Sequence, residues 1–195
     1  MYRRATVFRD PTAFVEAGEL PLLGWVWVVR DAACRIMELH WDGVSGDGVP
    51  SGAREFDSTL RFALTSYEKG SDAHFPLLPL APASTAFASR VRSAMCAIPR
   101  GRVVSYKQLA EAIGSPLSAR AVGQVCARNP LPIIVPCHRV VATRGAGGFS
   151  LGARAKRLLW SIEDTTDWRC SQSSVGEVLH RGTVAGEAEW SRREC

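Results

Sequence analysis

The sequence predicts an α/β chain in two parts: a small strand-and-helix unit, then a helical unit built on a helix-turn-helix outline. Three observations carry this. Two runs of strand formers, Leu23 to Val29 and CRIMELHW (34–41), flank the turn-forming RDAA. A proline-rich connector, HFPLLPLAPAS (74–84), interrupts the pattern. Beyond it, VVSYKQLAEAIGSPLSARAVGQVCARNP reads as helix, glycine turn and helix.

The elements follow in order. After the strand hairpin, GVSGDGVPSG (43–52) is a glycine-rich loop without a phosphate-binding pattern. FDSTLRFALTSYEKG then offers Asp57 or Ser58 as a helix cap and Gly70 as a stop. These residues, 1–73, form the first domain, and 74–84 the connector. In the second domain, 85–166, TAFASRVRSAMCAI places Phe87, Val91, Met95 and Ile98 on one helical stripe.

Ser105 and Gln108 make a capping box for the next helix, which runs through Ile113. Gly114, Ser115 and Pro116 turn the chain into a helix from about Leu117 to Arg128. On that helix Val122 and Val125 can face the core. Ala119, Gly123 and Ala127 form a strip of small residues that admits either a neighbouring helix or another close partner. ATRGAGGFSLG is a glycine loop. ARAKRLLWSIED is a basic amphipathic helix with Leu158, Leu159 and Ile162 inward and Glu163 near its end. The tail, 167–195, loses periodicity and is expected to be poorly ordered.

A chain of 195 residues with 46% hydrophobic content is globular in composition. MYRRATVFRD has no apolar run behind its charges, and LPLLGWVWVV is too short to span a bilayer. A soluble, cytoplasmic, monomeric protein with no membrane partner is expected. Its six cysteines stand singly, with no CxxC pair, so neither a zinc ribbon nor a thioredoxin-like motif is present. The net charge of +5 suits a nucleic-acid partner, and it suits an arginine-rich solvated surface equally well.

The densest signal is NPLPIIVPCHRVV (129–141). Pro130, Pro132 and Pro136 exclude helix interior and central sheet, and predict a stiff, extended segment ending on Cys137. A free thiol, with a pKa of roughly 8.5, needs a base or positive surroundings to react at neutral pH. His138 is adjacent in sequence, but neighbours on an extended chain point to opposite faces. Coupling the two would take a bound water or a bend after Pro136. Glu163 could orient His138, giving nucleophile, base and orienter. An inert buried cysteine beside a structural histidine remains the plain alternative.

PCHRVV, preceded by ARAVGQVCARNPLPIIV and followed by GGFS, a lysine and LL, resembles the O6-alkylguanine-DNA alkyltransferases, the methylated-DNA–protein-cysteine methyltransferases. The resemblance covers residues 85–163. It implies a ribonuclease-H-like N-terminal α/β domain joined to a winged helix-turn-helix domain. It also implies repair of double-stranded DNA by direct reversal. Cys137 would take an alkyl group from O6-alkylguanine and keep it, with O4-alkylthymine an open second substrate. His138, through a water and held by Glu163, would activate the thiol. Tyr106 would give a proton to the leaving guanine, and Asn129 would tie the second helix to the active segment.

For DNA binding through the minor groove, the resemblance implies Arg120 in the space left by the flipped nucleotide. Ala119, Gly123, Tyr106, Lys107, Ser115 and Thr143 would lie along the duplex. Pro132, Val140, Phe149 and Ser150 would line the substrate pocket. No metal or organic cofactor is implied. Reaching an atom buried in duplex DNA requires base flipping, which costs a few kcal/mol that a wedge and phosphate contacts offset.

The sequence departs from the family pattern at Arg92, usually tryptophan, and at Phe149, often tyrosine. It also lacks the double glycine before the lysine, the zinc site of some members and a second cysteine cluster for phosphotriester repair. Three other readings are a non-catalytic DNA-binding relative, a winged-helix regulator and a thiol hydrolase. Cys137 argues against the first and PCHR against the second. No recognisable oxyanion segment supports the third.

Overall fold

The protein is described from a computed structural model, which describes residues 12–41 and 48–165. The expected behaviour of the tail and the first part of the 43–52 loop lie outside those residues. The chain divides into two compact units, Met1–Ala81 and Pro82–Cys195. Among the described residues no helix is long and apolar enough to cross a membrane.

Among the described residues the first unit holds a four-stranded sheet, one α-helix and a short 3-10 turn, Phe75–Leu77. Strands β1 (Phe14–Leu20), β2 (Gly24–Arg30) and β3 (Ile36–Trp41) pair antiparallel, and β4 (Arg54–Glu55) adds parallel to β1, giving the order β3-β2-β1-β4. The RDAA turn closes because Asp31 accepts the N–H groups of Ala33 and Arg35, while Cys34 takes a left-handed φ of 60°.

β1 is an element the sequence reading does not contain. Glu16, Gly18 and Glu19 break its alternation; Glu19 is exposed, and the structure accommodates the other two. Glu16 is buried against Arg30 at 3.0 Å, and Arg30 also pairs with Asp57. Gly18 must lack a side chain, since a Cβ there would stand 2.7 Å from the Phe56 ring. Helix α1 (Ser58–Glu68) starts at Asp57, whose carboxylate caps the Leu60 N–H at 2.8 Å. It buries Leu60, Ala63, Leu64 and Tyr67. Its last residue, Glu68, accepts from both Leu22 and Leu23 N–H at 2.7 Å, tying the helix to the β1–β2 turn.

The second unit contains α2 (Ala86–Cys96), β5 (Val104–Ser105), α3 (Tyr106–Ala112), α4 (Ala119–Ala127), β6 (Val140–Val141) and α5 (Gly152–Ile162). Thr85 caps α2, which buries Val91, Ala94 and Met95. The Ser105/Gln108 capping box forms as the spacing predicts and starts α3. Gly114, at φ 68°, ends it, and a tight 3-10 turn, Pro116–Ser118, leads into α4. β5 and β6 pair in parallel, Val104 with Val140 and Ser105 with Val141.

Two inward faces differ from expectation. On α4 the core residues are Val122 and Cys126, four apart, and Val125 is only half-buried. On α5 Leu158 is 39% exposed and Ile162 half-buried, whereas Lys156, Leu159, Trp160 and Glu163 are buried. The buried set keeps the i, i+3, i+4, i+7 period. Its register is set by a lysine and a glutamate that find partners inside, so apolarity alone selects the wrong stripe.

Candidate active site

The segment after α4 is a run of turns, which corrects the extended chain expected from its prolines. Asn129 is the reason. Its Oδ1 accepts the Leu131 N–H at 3.1 Å, and its Nδ2 donates to the Val135 carbonyl at 2.8 Å and to Cys137 Sγ at 3.0 Å. The Val135 N–H returns to the Leu131 carbonyl at 2.8 Å. Between them Ile133 takes φ 74°, a left-handed conformation that costs a β-branched residue on the order of 1–3 kcal/mol. Buried surroundings and the Asn129 bonds hold it there.

Cys137–Arg139 then forms a 3-10 turn. Three residues per turn set successive side chains about 120° apart, so Cys137 and His138 diverge without pointing to opposite faces. Cys137 is 3% exposed and His138 fully buried. His138 Nε2 meets Glu163 Oε1 at 2.7 Å, and the ring stands edge-on to Phe149. The carboxylate can only accept, so Nε2 carries the proton and Nδ1 presents its lone pair. Among the described residues Nδ1 has no protein partner.

Glu163 sits at the C-terminal cap of α5, where the helix dipole disfavours a carboxylate. Arg139 offsets this with a fork, Nε to Oε2 at 3.0 Å and Nη2 to Oε1 at 2.9 Å, while its Nη1 donates to the Ile98 carbonyl at 2.7 Å. Burial opposes ionisation of Glu163, but His138 and Arg139 overcome it and hold the carboxyl well below its usual range. Burial likewise pulls His138 below its ordinary value, against the attraction of Glu163. A neutral imidazole with a fixed tautomer results.

Lys156 completes the site and was not among the expected residues. Its ammonium donates to the carbonyls of Val140 at 2.7 Å and Ala146 at 2.6 Å. Burial brings it down to about 8, with Cys137 and Cys126 pulling the other way. Burial pushes the Cys137 thiol up to about 11, while the Asn129 bond and the charge of Lys156 favour its thiolate. Left alone, the thiol keeps its proton at neutral pH and needs a base. Counting back seven, four and three residues from Glu163 reaches Lys156, Leu159 and Trp160; that helical spacing was the available signal. Arg139 lies inside PCHRVV, but no local pattern there marks it as the partner of Glu163.

The remaining expected residues fall as follows. Tyr106 opens α3 and accepts the Gly148 N–H, and a Cβ placed on Gly123 would stand 4.0 Å from its ring. Burial raises its phenol, with Cys126 and Cys137 adding to the rise. Ala119 and Gly123 are half-buried on α4, and Arg120 is exposed beside them. Lys107 is exposed and lies 3.8 Å from Glu111, Ser115 lies in the turn before α4, and Thr143 is exposed in the tight turn 142–145. Pro132 and Val140 are buried, and Phe149 and Ser150 half-buried.

Fold and site together define a mixed α/β protein whose buried Cys137 is held by an asparagine and backed by a histidine–carboxylate pair. Residues 86–165 match the family 6-O-methylguanine DNA methyltransferase, DNA binding domain. The chain is 49% identical over 87 residues to the regulatory protein ada of Salmonella typhimurium, covering 44% of this chain and 25% of that protein. To the methylated-DNA–protein-cysteine methyltransferase of Metallosphaera sedula it is 40% identical over 100 residues, 51% of this chain and 63% of the other. It thus spans less than two thirds of either. To that of Saccharolobus islandicus it is 35% identical over 143 residues, 72% of this chain and 89% of the other. Among solved structures, Mycobacterium tuberculosis OGT in complex with DNA matches with a TM-score of 0.61 at 26% identity, over 85% of this chain and 98% of that one. The chain belongs to the methylated-DNA–protein-cysteine methyltransferase family.

Proposed function

We propose that this protein repairs alkylated DNA by direct reversal, moving an alkyl group from O6-alkylguanine in duplex DNA to its own Cys137. The observation that carries the reading is the Asn129 amide, which joins the end of α4 to the Cys137 sulfur at 3.0 Å. One residue thereby links a helix suited to reading DNA with a thiol suited to displacement.

The chemistry follows from the site. The Cys137 proton passes through a water to Nδ1 of His138, and the thiolate forms beside Asn129 and Lys156. It attacks the alkyl carbon, the carbon–oxygen bond breaks, and a carbon–sulfur bond takes its place. Tyr106, kept protonated by its raised pKa, gives a proton to the departing guanine. The base reaches the thiol flipped out of the stack, with Phe149, Ser150, Pro132 and Val140 around it. Alignment of thiol and carbon by the rigid turn segment supplies much of the rate.

The first unit corresponds to a ribonuclease-H-like domain and the second to a winged helix-turn-helix, with β6 and the 142–145 turn as the wing. α4 enters the minor groove with Ala119 and Gly123 against the duplex, and Arg120 takes the space of the flipped nucleotide. Lys107, Ser115 and Thr143 contact the backbone. The protein acts as a monomer, and its need for a reduced thiol fits the cytoplasm.

Incubation with a duplex containing O6-methylguanine should restore guanine and leave the alkyl mass on the peptide bearing Cys137. Alkyl retained on the DNA, or mass on another peptide, would contradict the reading. Arg120→Ala should slow repair in duplex DNA by about tenfold or more while sparing transfer from free O6-benzylguanine, since a free base needs no extrusion. Equal losses on the two substrates would place the fault in the thiol or the fold.

A further inference from the structure

Trp160 has no part in the chemistry above, yet it touches that machinery at two points. It lies on α5, 6% exposed, packed with Val103, Val141 and Ala146. Its indole Nε1 donates to the carbonyl of His138 at 2.9 Å. His138 is the middle residue of the turn that begins at Cys137. The Lys156 ammonium stands 5.4 Å from the centroid of the same ring. That ammonium is the one holding the Val140 and Ala146 carbonyls.

A core tryptophan needs only some acceptor for its N–H. Here the acceptor is the backbone between the nucleophile and Arg139, so the bond fixes the rotation of a three-residue turn. Asn129 and Glu163 hold the same turn by its side chains, and neither bonds to the His138 carbonyl. The ring face also attracts the lysine cation, an attraction that strengthens where water is excluded.

We propose that Trp160 is a positioning residue for the alkyl acceptor: its N–H sets the Cys137–Arg139 turn, and its ring seats the Lys156 ammonium. The proposal rests on the alkyl-transfer reading above. Trp160 acts through other groups and does not touch the substrate.

Trp160→Phe keeps the ring and its cation contact and removes the donor alone, while Trp160→Leu removes both. The test is the limiting transfer rate at saturating methylated duplex, with duplex affinity and melting measured beside it. Trp160→Phe should bind DNA as the wild type does and remain folded. Its limiting rate should fall by about tenfold, the scale on which slight misplacement of a nucleophile acts. The same loss should appear with free O6-benzylguanine and in alkylation of Cys137 by iodoacetamide. Trp160→Leu should lose more. A wild-type limiting rate in either folded variant, or a loss confined to DNA affinity, would overturn the proposal. Wild-type protein run in parallel separates the two readings. No transfer by the wild type defeats the alkyl-transfer reading itself, whereas wild-type transfer matched by Trp160→Phe defeats only this one.

Discussion

Replacing Cys137 with serine should abolish alkyl transfer while leaving duplex binding intact. The displacement needs a polarisable anion in line with the alkyl carbon, and the proposed route to it is transfer of the thiol proton to His138, against the burial that raises the thiol to about 11. The Asn129 amide and the Lys156 charge favour a thiolate. A serine hydroxyl in the same place stays protonated and is a much poorer nucleophile, so the loss should be roughly 10³-fold or more, as for other removed nucleophiles. The proposed groove contacts lie on α4, whose exposed Arg120 the change does not touch. Single-turnover transfer and a gel-shift measurement on one preparation would check both halves. Transfer near the wild-type rate would move the acceptor to another thiol, and the active-site assignment would be wrong.

Glu163→Gln should cost both stability and activity. Glu163 is the buried counter-ion of Arg139 and the orienter of His138. A neutral amide takes the carboxylate counter-charge from the buried Arg139, a change worth about 3–5 kcal/mol and so about 10 °C of melting temperature in a chain of this size. The pH dependence has a definite sign. Glu163 and His138 are both held below their ordinary values in the folded protein. The unfolded chain therefore binds more protons as pH falls, and acid removes stability. The contribution of Glu163 is full above its ordinary value of 4.5 and is lost as pH falls through its lower folded value. His138 weakens the fold as pH drops below 6.5. Melting curves of wild type and Glu163→Gln should therefore lie far apart at pH 7 and converge only in strong acid. Equal stability at pH 7 would show that the Arg139 charge is satisfied without Glu163.

What could be read from the sequence was what is local. The capping box at Ser105 and Gln108 spans four residues, and the Cys137–His138 pair spans two, so both are legible without a fold. His138 and Glu163 pair as base and orienter on residue type alone, Asn129 joins them only through family resemblance, and the structure brings the three together around one turn. The missing pieces depend on distant partners. β1 hides because the burial of Glu16 is made possible by Arg30, fourteen positions on. Lys156 hides because a lysine is expected at the surface, and its partners are carbonyls on a preceding strand and loop. With a buried Lys156 in place of an apolar residue, the apolar stripe of α5 points to Leu158, which the structure exposes. A bend after Pro136 was open to the sequence, but the run of turns before it could not be read from the prolines, because they forbid helix without choosing between extended chain and turns.

The central claim, that Cys137 is consumed as it repairs, is tested most directly by titrating the protein with excess duplex containing O6-methylguanine. On the proposed reading the product at Cys137 would be a thioether, with no polarised carbonyl or phosphorus for water to attack and no base to reverse the displacement. Repaired guanine should plateau at one equivalent of active protein, with the alkyl mass confined to the Cys137 peptide. Repair continuing well past that equivalence, with unmodified protein recovered at the end, would contradict the account and point to a turning-over enzyme.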